Sequence, residues 1–349
     1  MSVTFGLPNQ HPMRQHLLLP VLLLAFSSPV LSQRNLEIGI AGGMTNYQGD
    51  LGNYGGAVQW NGFRPGLQVT FRDFLNNPKR YVTRSLTTEA RLGWYRIGYE
   101  ESDMIRGLDV TELRNYKRGL GFRNDLVGAS GHLVLNAYRE PYQPLFQQRF
   151  FMTFQIGLGV YYGRPKADLF LGDIDLANRY HFWADGTVRN APREEPTAQV
   201  IERDGIYETD LYEWITEGQG PVSEAGRTTR PSPWHIAVPM GAGVRYMLTR
   251  KLSVGMEFSY LMFFNDMLNN VSEHYATYDE IDATYPGNPS RQALARYISD
   301  PTGWGTNGTV TRFTSRRGNP GLLDNFSYIS VEVSYKFKRR PGRRSYVSL

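Results

Sequence analysis

Cysteine is absent from all 349 residues, so no disulfide staples this chain and no cysteine follows an export signal to carry a lipid. Beyond residue 33 the sequence also lacks any apolar run near the roughly 20 residues that a membrane-crossing helix needs. That excludes a helical membrane protein. Mean hydropathy is unremarkable at −0.42 and the formal net charge is only +5. The basic residues gather in the C-terminal tail, not in a nucleic-acid-binding patch, so nucleic acid is set aside. What the chain has in quantity is aromatic residues, at 13%, with 22 tyrosines and 36 glycines. A membrane β-barrel accommodates this composition, because only alternate residues meet lipid and the average hydropathy looks soluble.

The N-terminus supplies an export signal. From Met13 the sequence reads MRQHLLLPVLLLAFSSPVLSQ. Arg14 is followed by an apolar stretch, Leu17 to Phe26, and Val30 and Ser32 sit at the small-residue positions of a cleavage site before Gln33. Residues 1–32 are therefore read as a signal peptide, with a start at Met13 as one option. An exported, cysteine-free chain rich in Gly and Tyr points to a Gram-negative envelope, with outer-membrane lipid as its surroundings.

Strict alternation of apolar and polar residues then marks eight strands. The last, YISVEVSYKF (328–337), sets Ile329, Val331, Val333, Tyr335 and Phe337 against Ser330, Glu332, Ser334 and Lys336. Segments 36–44, 64–71, 86–95, 126–138, 150–162, 235–248 and 252–260 repeat the pattern. The connections alternate long and short, and the long ones include 164–233 and 265–325. An even strand count, short turns and long loops predict an all-β fold: an eight-stranded antiparallel outer-membrane β-barrel over 33–337 with periplasmic termini. A soluble lipocalin-like barrel is the rival, but it would fill its interior with apolar side chains. Here the second face carries Glu37, Glu89, Arg91, His132, Arg245, Glu257, Glu332 and Lys336. Charges of both signs predict an ion-paired interior network of Glu89, Arg91, Arg245, Glu257, Glu332 and Lys336. Inward glycines of the fifth to seventh strands are expected to make room for long Arg and Glu side chains.

Outside the strands, segment 193–224 is acidic, with only Arg193 and Arg203 opposing, and the chain ends KRRPGRRSYVSL (338–349). Each is either a solvated surface or a docking element. In the second reading Arg339, Arg340, Arg343 and Arg344 hold an acidic partner or lipid headgroups.

Catalytic and metal signatures are sparse. Ser130 and His132 share one strand face, a pairing more often polar filler than a lipid-trimming centre. His235 is likewise read as inward filler. NDMLNNVSE (265–273) offers Asp266, Asn269, Asn270 and Glu273 but lacks the spacing and Gly of a calcium loop, so a capping or hydrogen-bonding role is expected. GAGVR (241–245) lies mid-strand with no helix behind it. No enzyme, cofactor, metal or small-molecule substrate is expected.

Four further stretches occur in a telling order: NYQGDLGNYG (46–55), IAVPMGAGVRYML (236–248), FFNDMLNNVSEHYATYDE (263–280) and RGNPGLLDNFSYISVEVSYKF (317–337). Together they resemble the PorG-like outer-membrane barrels associated with the type IX secretion system. The matching positions are Tyr47, Gly49 and Asp50; Pro239, Gly241 and Gly243; Asp266, Leu268, Val271, Ser272 and Tyr275; and Arg317, Gly318, Asn319 and Pro320. Met267, Asn269 and Asn270 depart from the pattern, and the third and fourth external loops carry insertions. The resemblance implies a non-enzymatic component that anchors a periplasmic ring of lipoproteins to the outer membrane. A surface adhesin or ligand-binding barrel acting through its long loops is the alternative.

Overall fold

A computed structural model describes residues 36–52, 58–74, 85–101, 117–137, 149–183, 185–214, 216–217, 232–249, 251–272, 274–303 and 317–337, without the side chains of Asn61 and Phe74. All of them belong to one compact unit, Asn35–Lys338. Residues 1–32, read as a signal peptide, and the tail 338–349 lie outside the described residues.

Eight long strands carry the chain back and forth: β1 (Leu36–Gln48), β2 (Phe63–Phe74), β3 (Leu86–Glu100), β4 (Gly121–Asn136), β5 (Phe150–Tyr162), β6 (Trp234–Met247), β7 (Leu252–Phe263) and β8 (Asn325–Phe337). Each pairs antiparallel with its sequence neighbours, and β1 also pairs with β8, from Leu36 opposite Phe337 to Gln48 opposite Asn325. The sheet is thereby closed and leaves no edge. Antiparallel closure puts the connections after β1, β3, β5 and β7 at one end and those after β2, β4 and β6 at the other. No helix among the described residues is long and apolar enough to cross a membrane.

Side chains alternate as the pleat requires. Outward stand Ile40, Leu67, Leu92, Leu133, Phe154, Ile156, Leu158, Met256, Phe258, Val331 and Val333, all exposed. Aromatic residues flank this belt. At the long-loop end Tyr162 and Trp234 pair across strands with centroids 5.0 Å apart; at the short-turn end stand Phe150, Tyr246, and Tyr335 against Phe337 at 4.9 Å. From Trp234 to Tyr246 at ~3.3 Å per residue and a tilt of roughly 40°, the girdles stand about 30 Å apart. An apolar belt of bilayer height between aromatic rings is the exterior of a membrane barrel. A soluble barrel would have to hide those leucines and phenylalanines from water.

The interior has two zones, where the sequence predicts one. Near the short turns it is charged and ion-paired. Towards the loops the inward register turns aromatic: Tyr95, Tyr161, Tyr328, Phe263 and Phe326 are buried there with rings 5.1–6.2 Å apart. The expected use of glycine is corrected accordingly. In β5, a Cβ on Gly159 would strike the Tyr161 ring and one on Gly157 would strike His132. A flat ring fills the space above a glycine as well as an extended arginine does. Charged side chains are admitted by Gly39 in β1, where a Cβ would lie 2.6 Å from the Glu332 carboxyl carbon, and by Gly121 in β4, where it would strike the Glu100 carboxylate.

Above the aromatic zone β3 and β4 run past the belt; β3 is buried on both faces there, while β4 alternates buried Phe122, Asn124 and Leu126 with half-exposed Arg123 and Asp125. The β5–β6 connection adds two-residue strands beside the upper end of β4, which outruns β5: Lys166–Ala167 pairs with β4 at Arg123, and Thr209–Asp210 pairs with Lys166–Ala167. The β7–β8 connection contributes two helices, α1 (Tyr278–Thr284) and α2 (Pro289–Ser299). The first begins with a reciprocal capping box between Thr277 and Glu280; the second has Asn288 as N-cap and a proline in its first turn. Both are ordinary helix-start devices. The helices are tied to the β5–β6 connection by Tyr297, whose hydroxyl donates to the Leu169 and Tyr180 carbonyls at 2.9 Å, and by Ser299, which donates to the Thr216 carbonyl at 2.7 Å.

Candidate functional site: a sealed lumen under a built cap

Arg72 is the hub of the charged zone. It is fully buried, and its guanidinium reaches three glutamates: Glu89 through Nε, Glu37 through Nη1 at 2.9 Å and Glu332 through Nη2 at 2.6 Å. Arg91 grips Glu89 at 2.6 and 2.9 Å and forks onto Glu257 at 2.6 and 2.9 Å. Arg245 stands at 3.4 Å from Glu37 and 3.7 Å from Glu332. Spare lone pairs are used as well: Ser334 donates to Glu37 at 2.6 Å, and Gln155 and Ser259 each donate to Glu257 at 2.7 Å. Burying ions is favourable only when pairing and hydrogen bonding are this complete. The cavity among Gln68, Arg72, Arg245, Glu257 and Glu332 measures about 10 Å³, room for one water.

Glu89, Arg91, Arg245, Glu257 and Glu332 thus meet in one network. Lys336 sits half-exposed at the short-turn rim. Arg72 and Glu37 complete the network. Arg72 is invisible if the second strand is stopped at Phe71; carrying the alternation of Gln68 and Thr70 one step further finds it.

His132 is buried in the lumen, with Nε2 2.8 Å from the Ser130 hydroxyl. The carboxylate across the strands from it, Glu89, is committed to Arg72 and Arg91. Lipid chains run along the outer wall, so a serine aimed inward cannot reach them. His235 is buried too, bonded through Nδ1 to Asn265.

The positions shared with the PorG-like pattern fall into two places. Pro239, Gly241 and Gly243 lie in β6, within the wall. Pro239 has no N–H, and the pairing of β6 with β5 is interrupted between Ala237 and Met240, where it sits.

The other three groups, far apart in sequence, converge above the lumen as a cap. The Tyr47 hydroxyl donates to Asp324 at 2.5 Å and accepts from the Asn269 amide at 2.7 Å, while the Leu268 N–H donates to the other Asp324 oxygen at 3.0 Å. Asp50 accepts from the Asn319 N–H at 3.0 Å. Arg118, paired with Glu101, donates to the carbonyls of Asp50 and Arg317 at 2.9 Å. Arg317 donates to the Asn270 carbonyl at 2.5 Å and faces Glu217 at 3.4 Å, beside the Tyr275 ring. Glu217 accepts from the Ser272 N–H at 2.8 Å. Glycine is required twice: a Cβ on Gly49 would collide with Tyr47 and Asp324, and one on Gly318 with Asp50 and the Ser272 backbone. Pro320 is exposed. Asn269 and Asn270 serve as hydrogen-bond donors within this loop cluster, and Asn270 adopts φ 59°. Glu273 lies outside the described residues.

Three buried aspartates meet in this cap. Burial, followed by the charges of Asp324 and Asp50, pushes Asp266 up to about 9; burial and then Asp50 push Asp324 up to about 8; burial pushes Asp50 up to about 7.

Between the β5–β6 connection and the helices runs an open groove of about 580 Å³, walled by Tyr180, Phe182, Trp183, Tyr297, Arg193 and Arg296. Arg339, Arg340, Arg343 and Arg344 lie outside the described residues.

No family model and no curated protein matches this chain. Among solved structures it is similar to Ail, the attachment invasion locus protein of Yersinia pestis, crystallised with the heparin analogue sucrose octasulfate (7% identity, 88% of this chain and 100% of that one, TM-score 0.32). It is similar to a major outer membrane protein from Thermus thermophilus (10% identity, 87% and 99%, TM-score 0.35) and to Neisserial surface protein A (8% identity, 86% and 97%, TM-score 0.29). Identities this low say nothing of activity, and the fold rests on the strand pairing described above.

Proposed function

We propose that this outer-membrane barrel is a non-enzymatic anchor and docking component of a type IX-like protein secretion apparatus. The observation that carries this reading is the combination of a lumen filled by ion pairs and a cap into which most of the PorG-like positions converge. Such a body conducts nothing and changes shape little, and those are the properties of an anchor. The long-loop end faces outward and the short turns with the basic tail face the periplasm, where Lys338, Arg339, Arg340, Arg343 and Arg344 hold the acidic surface of a lipoprotein ring.

Affinity recovery of the tagged full-length chain from gently solubilised outer membranes tests it. Periplasmic ring lipoproteins should be recovered with the full-length chain and depleted several-fold when 339–349 are removed. Unchanged recovery after truncation refutes the tail's role, and recovery of the folded barrel alone refutes the anchor.

The aromatic, arginine-walled groove favours one second reading, a surface adhesin or ligand-binding barrel. Removing the loop between β5 and β6 separates the two, since an anchor keeps its ring and an adhesin loses its binding.

A further inference from the structure

The geometry points to a Ca²⁺ site in the β5–β6 connection, formed by Asp168, Glu208 and Asp204. Each offers a carboxylate oxygen, and these oxygens lie within 4.8 Å of one another. The backbone builds the cluster. The Gly205 N–H donates to Asp168 Oδ2 at 3.1 Å, the Leu169 and Phe170 N–H groups to Glu208 Oε1 at 2.9 and 3.2 Å, and the Gly172 and Ile206 N–H groups to the two Asp204 oxygens at 2.9 and 2.8 Å. Gly172 and Gly205 take positive φ, +84° and +70°, which places those N–H groups as L side chains rarely allow.

Two atoms are left over. Asp168 Oδ1 and Glu208 Oε2 are buried and make no hydrogen bond, the Tyr180 hydroxyl stands against the Asp168 carboxyl group, and Asp168 as a residue is only 3% exposed. An unpaired buried carboxylate oxygen is costly, and both belong to carboxylates of this cluster, as suits a ligand that supplies positive charge. Burial raises the proton affinity of Asp168, to about 6, and of Glu208, while Asp204 is exposed. Arg203 lowers the Asp168 value through its charge, but its guanidinium is paired with Glu100. The cap aspartates make a useful contrast: they are also buried, yet their oxygens do not gather into such a group.

The donor set selects the ion. Three carboxylates with no sulfur or imidazole suit a hard cation, and irregular geometry at a half-open rim suits Ca²⁺, with water completing the shell, better than Mg²⁺. A bound ion would clamp Asp168 to the 204–208 turn. Tyr180 and Leu169, whose carbonyls receive Tyr297, lie beside the clamp, so the ion would also fix the groove wall.

Tb³⁺ luminescence on the full-length barrel, refolded in detergent, tests this. The Tyr180 hydroxyl, 3.1 Å from the Asp204 N–H, is placed to sensitise the ion. Saturable emission is expected, displaced by Ca²⁺ with half-saturation between about 10 µM and about 1 mM. Asp168→Asn with Glu208→Gln should weaken binding at least about tenfold, while Glu195→Gln, an exposed acid of the same connection, should leave it unchanged. Emission untouched by the double variant overturns the site. Should that variant fail to fold, proteolysis of the wild type decides: millimolar Ca²⁺ should protect residues 164–214, and equal cleavage with Ca²⁺ or with a chelator overturns the proposal.

Discussion

Arg72→Met is expected to keep most of the chain from reaching its folded form. Three buried arginines, Arg72, Arg91 and Arg245, stand against three buried glutamates, Glu37, Glu89 and Glu332, and the half-buried Glu257. Removing the one that touches Glu37, Glu89 and Glu332 leaves two cations facing four anions in a sealed space. Breaking a buried pair from one side costs about 3–5 kcal/mol because the remaining charge stays buried, and here three glutamates lose the cation they share. The cost arises from uncompensated charge more than from lost attraction. Arg72→Met combined with Glu89→Gln and Glu332→Gln should therefore recover most of the loss. Urea unfolding in lipid vesicles, followed by tryptophan fluorescence and heat-dependent gel mobility, measures both. A triple variant no better than the single one would mean that packing around Arg72, not its charge, holds the lumen.

The cap should loosen as pH rises. Asp50, Asp324 and Asp266 keep their protons in the folded state up to about 7, 8 and 9, whereas an unfolded aspartate loses its proton near 3.8. Between those limits the folded state binds more protons than the unfolded one, so stability falls with pH. It is fully present below about pH 4 and is lost through about pH 9. One fully displaced group contributes about 1.4 kcal/mol per pH unit; the three share one field, so a loss of at least about 2 kcal/mol between pH 5 and pH 8 is expected for the cap. Asp266→Asn should flatten the profile and raise protection at pH 8. Hydrogen-exchange protection of the Leu268 and Asn319 amides, which donate to Asp324 and Asp50, reports it directly. Protection that rises with pH would contradict the assignment.

The barrel was legible because its signal has a period of two residues and repeats eight times. Ile40, Val69, Leu92 and Val331 had to point one way and Glu332 and Arg91 the other, and no core large enough to cover the first set is encoded elsewhere. The aromatic upper zone was harder to see, since Tyr95 and Tyr161 suit a membrane girdle as well as a packed interior. Arg72 sat one residue past the strand boundary. The helices of the β7–β8 connection left short-range marks, Thr277 with Glu280 and Asn288 before Pro289, but no strand rhythm pointed to them. The cap was legible only as motifs. Tyr47 touches Asp324 and Asn269, and Arg118 touches Arg317; spacing along the chain carries no trace of such pairings, which appear only once the barrel closes. The Asp168, Asp204 and Glu208 cluster was hidden similarly: Asp204 and Glu208 lie inside the segment 193–224, whose acidity reads as a solvated surface, and Asp168 lies outside it.

On the proposed reading, the filled lumen and the cap belong to a protein that carries load and not solute. The most direct test is the current across a planar lipid bilayer holding the refolded full-length barrel. The account predicts insertion without stable conductance, at neutral pH and at high salt alike. Reproducible open-channel steps from the wild-type protein would contradict it, because no ion can pass Arg72, Arg91 and Arg245 while they hold their glutamates.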